Sequence, residues 1–123
     1  MNFKESLDNH LSSISARNLE EFSRTLVKDD RLTLIMPNSS VLNGYEAIVD
    51  FHKNWFSDPD WSIETTLLKT IESNASCIAL LDVVYNDLDE SGEPYQLNYI
   101  LSLTFVFEGG SWLLTFDQNT MRS

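Results

Sequence analysis

The sequence predicts an α+β domain, with three N-terminal helices packed on one side of a curved, mainly antiparallel sheet. Two observations carry this reading. Apolar residues recur at a period of about 3.6 up to Trp61 and about 2 beyond it. Clusters of turn formers then cut the second half into four candidate strands, residues 61–72, 77–86, 95–107 and 112–118.

Phe3, Leu7, Leu11 and Ile14 lie on one face of a first helix. Asn18 can cap a second, whose buried stripe is Leu19, Phe22 and Leu26. Asp29-Asp30 closes that segment, and residues 32–36 read as a short strand stopped by Pro37, which has no donor for a ladder. Residues 45–56 predict a third helix with Ile48, Phe51 and Trp55 on its apolar face and His52 and Phe56 alongside. The strand of residues 95–107 alternates most clearly, with odd-numbered Leu101, Leu103 and Phe105 on one face and Gln96, Asn98, Ser102 and Thr104 on the other.

The chain has 123 residues, which predicts one domain spanning residues 1–123. Eight basic against nineteen acidic residues give a net charge of −11. That field repels phosphate backbones and anionic lipid, so neither nucleic acid nor a membrane is an expected partner. No apolar run approaches the roughly 20 residues that span a bilayer, and no secretory signal is evident at the start. The single cysteine, Cys77, suits a reducing compartment, and the cytoplasm is the expected location.

Several chemistries lack their residues. Four glycines, at 44, 92, 109 and 110, cannot write a phosphate loop or a dinucleotide fingerprint. No G-x-S-x-G elbow occurs, and two histidines cannot supply a His-rich zinc site. Asp87-Leu88-Asp89-Glu90-Ser91-Gly92 imitates the start of a calcium loop, but Asn98 stands where the bidentate glutamate belongs. It reads as an acidic hairpin tip. No metal and no cofactor are expected.

Three stretches carry a likeness. Ala16-Arg17-Asn18-Leu19-Glu20-Glu21-Phe22 resembles a turn between two helices, Gly44-Tyr45-Glu46-Ala47-Ile48-Val49-Asp50-Phe51 a G-x-E-A-I-x-x-F helix start, and Phe107-Glu108-Gly109-Gly110-Ser111-Trp112 with Phe116-Asp117-Gln118-Asn119-Thr120 a closing hairpin. In this order they resemble the nuclear-transport-factor-2-like superfamily, in its SnoaL-like and ketosteroid isomerase-like branch. The resemblance implies a cone-shaped, cystatin-like fold whose bent sheet wraps a helix around an apolar pocket. It also implies a homodimer through the outer sheet faces. Members include isomerases, cyclases, dehydratases, epoxide hydrolases and non-catalytic proteins, so fold alone assigns no reaction. Matching the ketosteroid isomerase members puts His10 at their tyrosine, Met36 at their base and Leu103 at their second oxyanion donor. A thioether abstracts no proton and leucine donates no hydrogen bond, so that mechanism is not expected.

Under the same matching, Asp117 is the candidate acid/base and His10 a candidate donor, one position from the Leu7–Leu11 stripe at a half-exposed edge of the first helix. Phe51, His52, Trp55, Tyr85, Tyr99, Leu103 and Asn119 are the candidate ligand contacts. Alternation from Asp117 puts Trp112, Leu114 and Phe116 on the outer face, where a second subunit would cover them. Asp82 shares that face with Ile78, Leu80 and Val84 and is expected to be held by a hydrogen bond. Three functions stay open: a binder of a small apolar molecule, a general acid/base enzyme using Asp117, or a non-catalytic interaction module.

Overall fold

The computed structural model describes residues 1–122. Helices α1 (Phe3–Ser15) and α2 (Leu19–Arg24) are followed by strands β1 (Thr33–Ile35) and β2 (Val41–Asn43) and helix α3 (Tyr45–Phe56). Four long strands complete the fold: β3 (Ser62–Glu72), β4 (Ser76–Leu88), β5 (Pro94–Glu108) and β6 (Ser111–Met121). The predicted α+β architecture is the one observed. The sheet is open and six-stranded, ordered β2-β1-β6-β5-β4-β3. Every pair is antiparallel except β1 with β6, which is parallel.

Local chemistry explains the boundaries. Asn2 and Glu5 form a reciprocal capping box on α1, each bonding the other's backbone N–H at 2.8–3.0 Å. The Asn18 side chain accepts from Glu21 N at 3.1 Å, which starts α2 as expected. Gly44 precedes α3 at φ +92° while its N–H bonds Leu32 O at 2.8 Å, a conformation costly for any residue with a Cβ. Gly109 and Gly110, at φ +58° and +82°, make the tight β5–β6 turn. Strand β2 had no counterpart in the sequence reading, since three residues give periodicity nothing to repeat.

The core lies between the helices and one sheet face. Phe3, Leu7 and Ile14 of α1 face Ala79, Leu81 and Val83 of β4 and Leu101, Leu103 and Phe105 of β5, with Phe22, Leu26, Ile48 and Phe56 completing it. The odd-numbered side chains of β5 therefore point toward the helices, as their alternation predicts.

Alternation fails on β6. Thr104 pairs with Phe116, but Phe105 pairs with Leu114, so Thr115 is an extra residue in a β-bulge. Asp117 and Asn119 remain on the inner face beyond the bulge, while before it the parity inverts. Leu114 is 2% exposed in the core, and the Trp112 ring meets Phe3 edge-on at 5.8 Å. The expectation that Trp112 and Leu114 face outward is thus corrected, and of the three only Phe116 does so. Around the bulge, residues 25–27 bond β6 from the other side, through Val27 N to Leu114 O at 2.9 Å and Leu114 N to Thr25 O at 2.8 Å.

The bulge makes a directional prediction. Leu114→Ala should cost about 2–4 kcal/mol for a buried leucine, and Leu113→Ala less than about 1 kcal/mol at its half-exposed outer position. Urea denaturation of both variants checks the order, and equal or reversed losses would contradict this register.

Candidate functional site

Beneath α3 the sheet and helices enclose a cavity of about 380 Å³, within the range of small-molecule sites. Phe51, His52 and Trp55 of α3 form one wall. Tyr85 of β4, Tyr99 and Leu101 of β5, and Asp117 and Asn119 of β6 form the opposite one. Met36, Pro37 and Asn38 of the β1–β2 turn, Ile63 of β3, and Tyr95 and Leu97 of β5 complete the mouth.

Asp117 is fixed by its neighbours. It stands opposite Leu103 on β5 and Leu34 on β1. Asn119 Nδ2 donates to Asp117 Oδ1 at 3.0 Å and to Ile35 O at 2.8 Å, joining the carboxylate to β1. The side chain is half-buried and opens on the cavity. Burial raises its pKa from 3.8 to about 7, against the lowering effect of the Asn119 bond. Burial first, and then the nearby Asp117 charge, holds the Tyr99 phenol well above its ordinary value. That hydroxyl, on a side chain only 7% exposed, has no partner among the described residues.

His52 is 5% exposed and stacks on Phe22 with ring centres 4.2 Å apart. Its Nδ1 lies 2.7 Å from Ile48 O. A carbonyl only accepts, so Nδ1 carries the hydrogen and Nε2 presents a lone pair to the cavity. Burial lowers its pKa to about 4, which keeps the ring neutral near pH 7.

Two expected positions differ. His10 is not at a half-exposed helix edge. It is fully buried behind the cavity wall, between Phe22 and Phe105 at 5.3 and 5.8 Å. Thr25 Oγ1 donates to Phe22 O at 2.6 Å and therefore accepts from His10 Nδ1 at 2.7 Å. The ring is neutral, with Nε2 buried and unpaired, and burial and the nearby His52 lower its pKa to about 3. Leu103 also lies below the cavity floor, fully buried.

Tyr85 reaches the cavity, but its hydroxyl donates to Asp87 Oδ2 at 2.6 Å and accepts from Trp55 Nε1 at 3.2 Å. Its donor is therefore engaged within the protein. Trp55 is backed by Trp61, stacked at 4.1 Å, which carries the Arg17 guanidinium 3.8 Å above its other face. Sequence reasoning placed Met36 at the site but did not name Pro37, Asn38, Ile63, Tyr95 or Leu97 as contacts; the turn chemistry around Pro37 was the available signal for the first two. Asp82 lies on the outer sheet face, bonded by Arg122 at 2.9 Å and Asn98 at 3.2 Å. Among the described residues no cluster of three or more His, Cys, Asp or Glu is arranged to hold a metal, and no helix is long and apolar enough to cross a membrane.

An open sheet with helices on one face and a carboxyl group on the wall of a mainly apolar cavity describes the class. The SnoaL-like domain family matches residues 4–118, and the chain belongs to it. Solved structures of the same fold include an uncharacterized protein with a cystatin-like fold from Caulobacter vibrioides, 16% identical, TM-score 0.81, covering 98% of this chain and 87% of that one. A ketosteroid isomerase-like protein from Erwinia carotovora atroseptica is 11% identical, TM-score 0.80, with coverage of 98% and 93%. The association domain of C. elegans calcium/calmodulin-dependent protein kinase II is 19% identical, TM-score 0.69, with coverage of 98% and 93%. No curated protein matches the chain.

The buried groups predict a pH profile. The folded pKa values of His10 and His52 lie below 6.5, so the unfolded chain takes up their protons first. They cost up to about 1.4 kcal/mol per pH unit each as pH falls from 6.5 toward 4. Asp117 is raised above 3.8, so the unfolded chain ionises first and stability is lost as pH rises from 4 to 7. Asp117→Asn, which still accepts from Asn119, should therefore stabilise the fold by on the order of 2 kcal/mol above pH 7. The gain should vanish near pH 4. Chemical denaturation at both pH values measures it, and a variant no more stable than wild type at pH 8 would contradict the buried carboxyl.

Proposed function

We propose that this SnoaL-like domain binds a small, largely apolar molecule in the cavity beneath α3. The observation that carries this is the placement of Asp117, a half-buried carboxyl group opening on about 380 Å³ of mainly apolar space. An open cavity with this acid turned inward supports ligand binding over a pure interaction module. Phe51, Trp55 and Leu97 supply apolar contact, while Tyr99, His52 and Asn119 orient polar groups of the ligand.

A second reading is favoured by the same carboxyl. With a pKa of about 7, Asp117 exists in both protonation states at neutral pH and suits general acid/base work such as isomerisation, dehydration or cyclisation. His10, walled off behind Phe22 and Phe105, is not placed to donate to a bound molecule, and Tyr99 takes that role. A panel of cyclic metabolites, screened by thermal shift and for turnover, tests both readings. A ligand at about 100 Kd should stabilise the fold by about 2.7 kcal/mol, and Leu97→Trp should abolish the shift by filling the cavity. Turnover, where found, should fall about 10²–10⁴-fold in Asp117→Asn. A panel with no stabilising member would refute the binding reading.

We infer also that the chain forms homodimers through its outer sheet face. All three helices lie on the other side. The half-buried Leu80, Val84, Ile100, Val106, Leu113 and Phe116 stand among polar groups there, with no helix over them among the described residues. The likeness to an association domain supports self-assembly, and the lone buried Cys77 suits the reducing conditions of a cytoplasm. Sedimentation at micromolar concentration should give twice the 14.1 kDa chain mass, and a monomer would exclude the dimer.

A further inference from the structure

The polar groups of the cavity are unevenly divided between donors and acceptors. His52 Nε2 is a lone pair, and among the described residues Asp117 contributes a carboxylate oxygen free of protein bonds and Asn119 Oδ1 is likewise unengaged. Against these three acceptors the inner wall sets one unengaged donor among the described residues, the Tyr99 hydroxyl, because Asn119 has already spent its two amide hydrogens on Ile35 and Asp117 and Tyr85 its hydroxyl hydrogen on Asp87. A ligand satisfying such a wall must bring donors.

Charge points the same way. Among the described residues no lysine or arginine lines the cavity, and its histidine is neutral. Tyr95 at the mouth pairs with Asp87 across β4 and β5, and after burial the charges of Asp87, Asp58 and Asp89 push its phenol up. Arg17, which reaches this region, is committed to the Trp61 face and to the carbonyls of Asp58 and Trp61. Five of the lining side chains carry π systems: Phe51, Trp55, Tyr85, Tyr95 and Tyr99. Aromatic faces attract cations through their quadrupoles, most strongly where water is excluded. The net charge of −11 favours approach of the same sign of ligand.

We propose that the cavity selects a small hydrophobic amine, bound as its ammonium, over neutral and anionic molecules of the same shape. The inference rests on the reading of this cavity as the ligand site and adds the ligand's charge. The ammonium N–H groups meet the lone pairs of the inner wall, and the hydrocarbon fills the aromatic box. A carboxylate in the same place would face Asp117 and the acidic mouth with no cation to pair it.

Three probes share one hydrocarbon cage and differ in the head group: 1-adamantanamine, 1-adamantanol and 1-adamantanecarboxylate. Calorimetric titration into the full chain near neutral pH should give the amine an affinity about tenfold above the alcohol. The carboxylate should bind more weakly than either. Raising salt from about 0.05 to about 0.5 M should weaken the amine and leave the alcohol unchanged. In Asp117→Asn the amine-to-alcohol ratio should collapse toward one.

An alcohol that binds as tightly as the amine would overturn the charge selection and leave the cavity reading intact. So would a carboxylate that binds best, or an undiminished ratio in Asp117→Asn. Failure of all three probes to bind would overturn both.

Discussion

The single extra residue in β6 is the constraint on which the site depends. In an unbroken strand, residues three apart point to opposite faces. Leu114 and Asp117 nevertheless share a face, because Thr115 bulges between Leu114 and Phe116. One strand thereby seals the packed end of the cone with leucine and presents a carboxyl group to its hollow end. Removing the bulge would force a choice between filling the core and lining the cavity. Bulges beside functional sites re-aim side chains in this way.

The electrostatics of the interior follow from what surrounds that strand. Residues 25–27 pair with Leu114, and Thr25 from the same segment accepts the His10 hydrogen bond. His10 therefore stays neutral, with one nitrogen unpaired, at a cost of about 1–3 kcal/mol for an unsatisfied buried group. Phe22 lies between this ring and His52, which it meets as a stacked pair. Two uncharged imidazoles and a carboxyl group reluctant to ionise make an interior that avoids charge until a ligand supplies one. The stability spent on such groups is a known mark of sites that bind or react.

Much of the architecture was legible in the sequence. The stripe of Phe3, Leu7 and Ile14, the Asn18 cap, and the alternation through Leu101, Leu103 and Phe105 are repeated patterns, and each found its element. So did the aromatic wall, because Phe51 and Trp55 sit on one helical face. What escaped is what does not repeat. Val41–Asn43 is too short to show a period, and a one-residue bulge inverts parity without a compositional trace, as Trp112 and Leu114 demonstrate. His10 read as an edge residue because a helical stripe describes one contact surface, whereas α1 is covered by both the sheet and α2. The loss of Tyr85 as a free donor depends on Asp87 and Trp55, whose convergence only the fold reveals.

The parallel pairing of β1 with β6 has a bearing on how the molecule is made. Thr33, Leu34 and Ile35 find their partners at Phe116, Asp117 and Gln118, some eighty positions later, and residues 25–27 likewise wait for Leu114. During vectorial synthesis the amino-terminal third thus emerges from the ribosome long before the strand it must join. Contacts so distant along the chain slow folding through the entropy of closing large loops. Until the final strand arrives, Phe3 of α1 waits for the Trp112 ring and residues 25–27 for Leu114, leaving apolar surface open to the chaperones that recognise it.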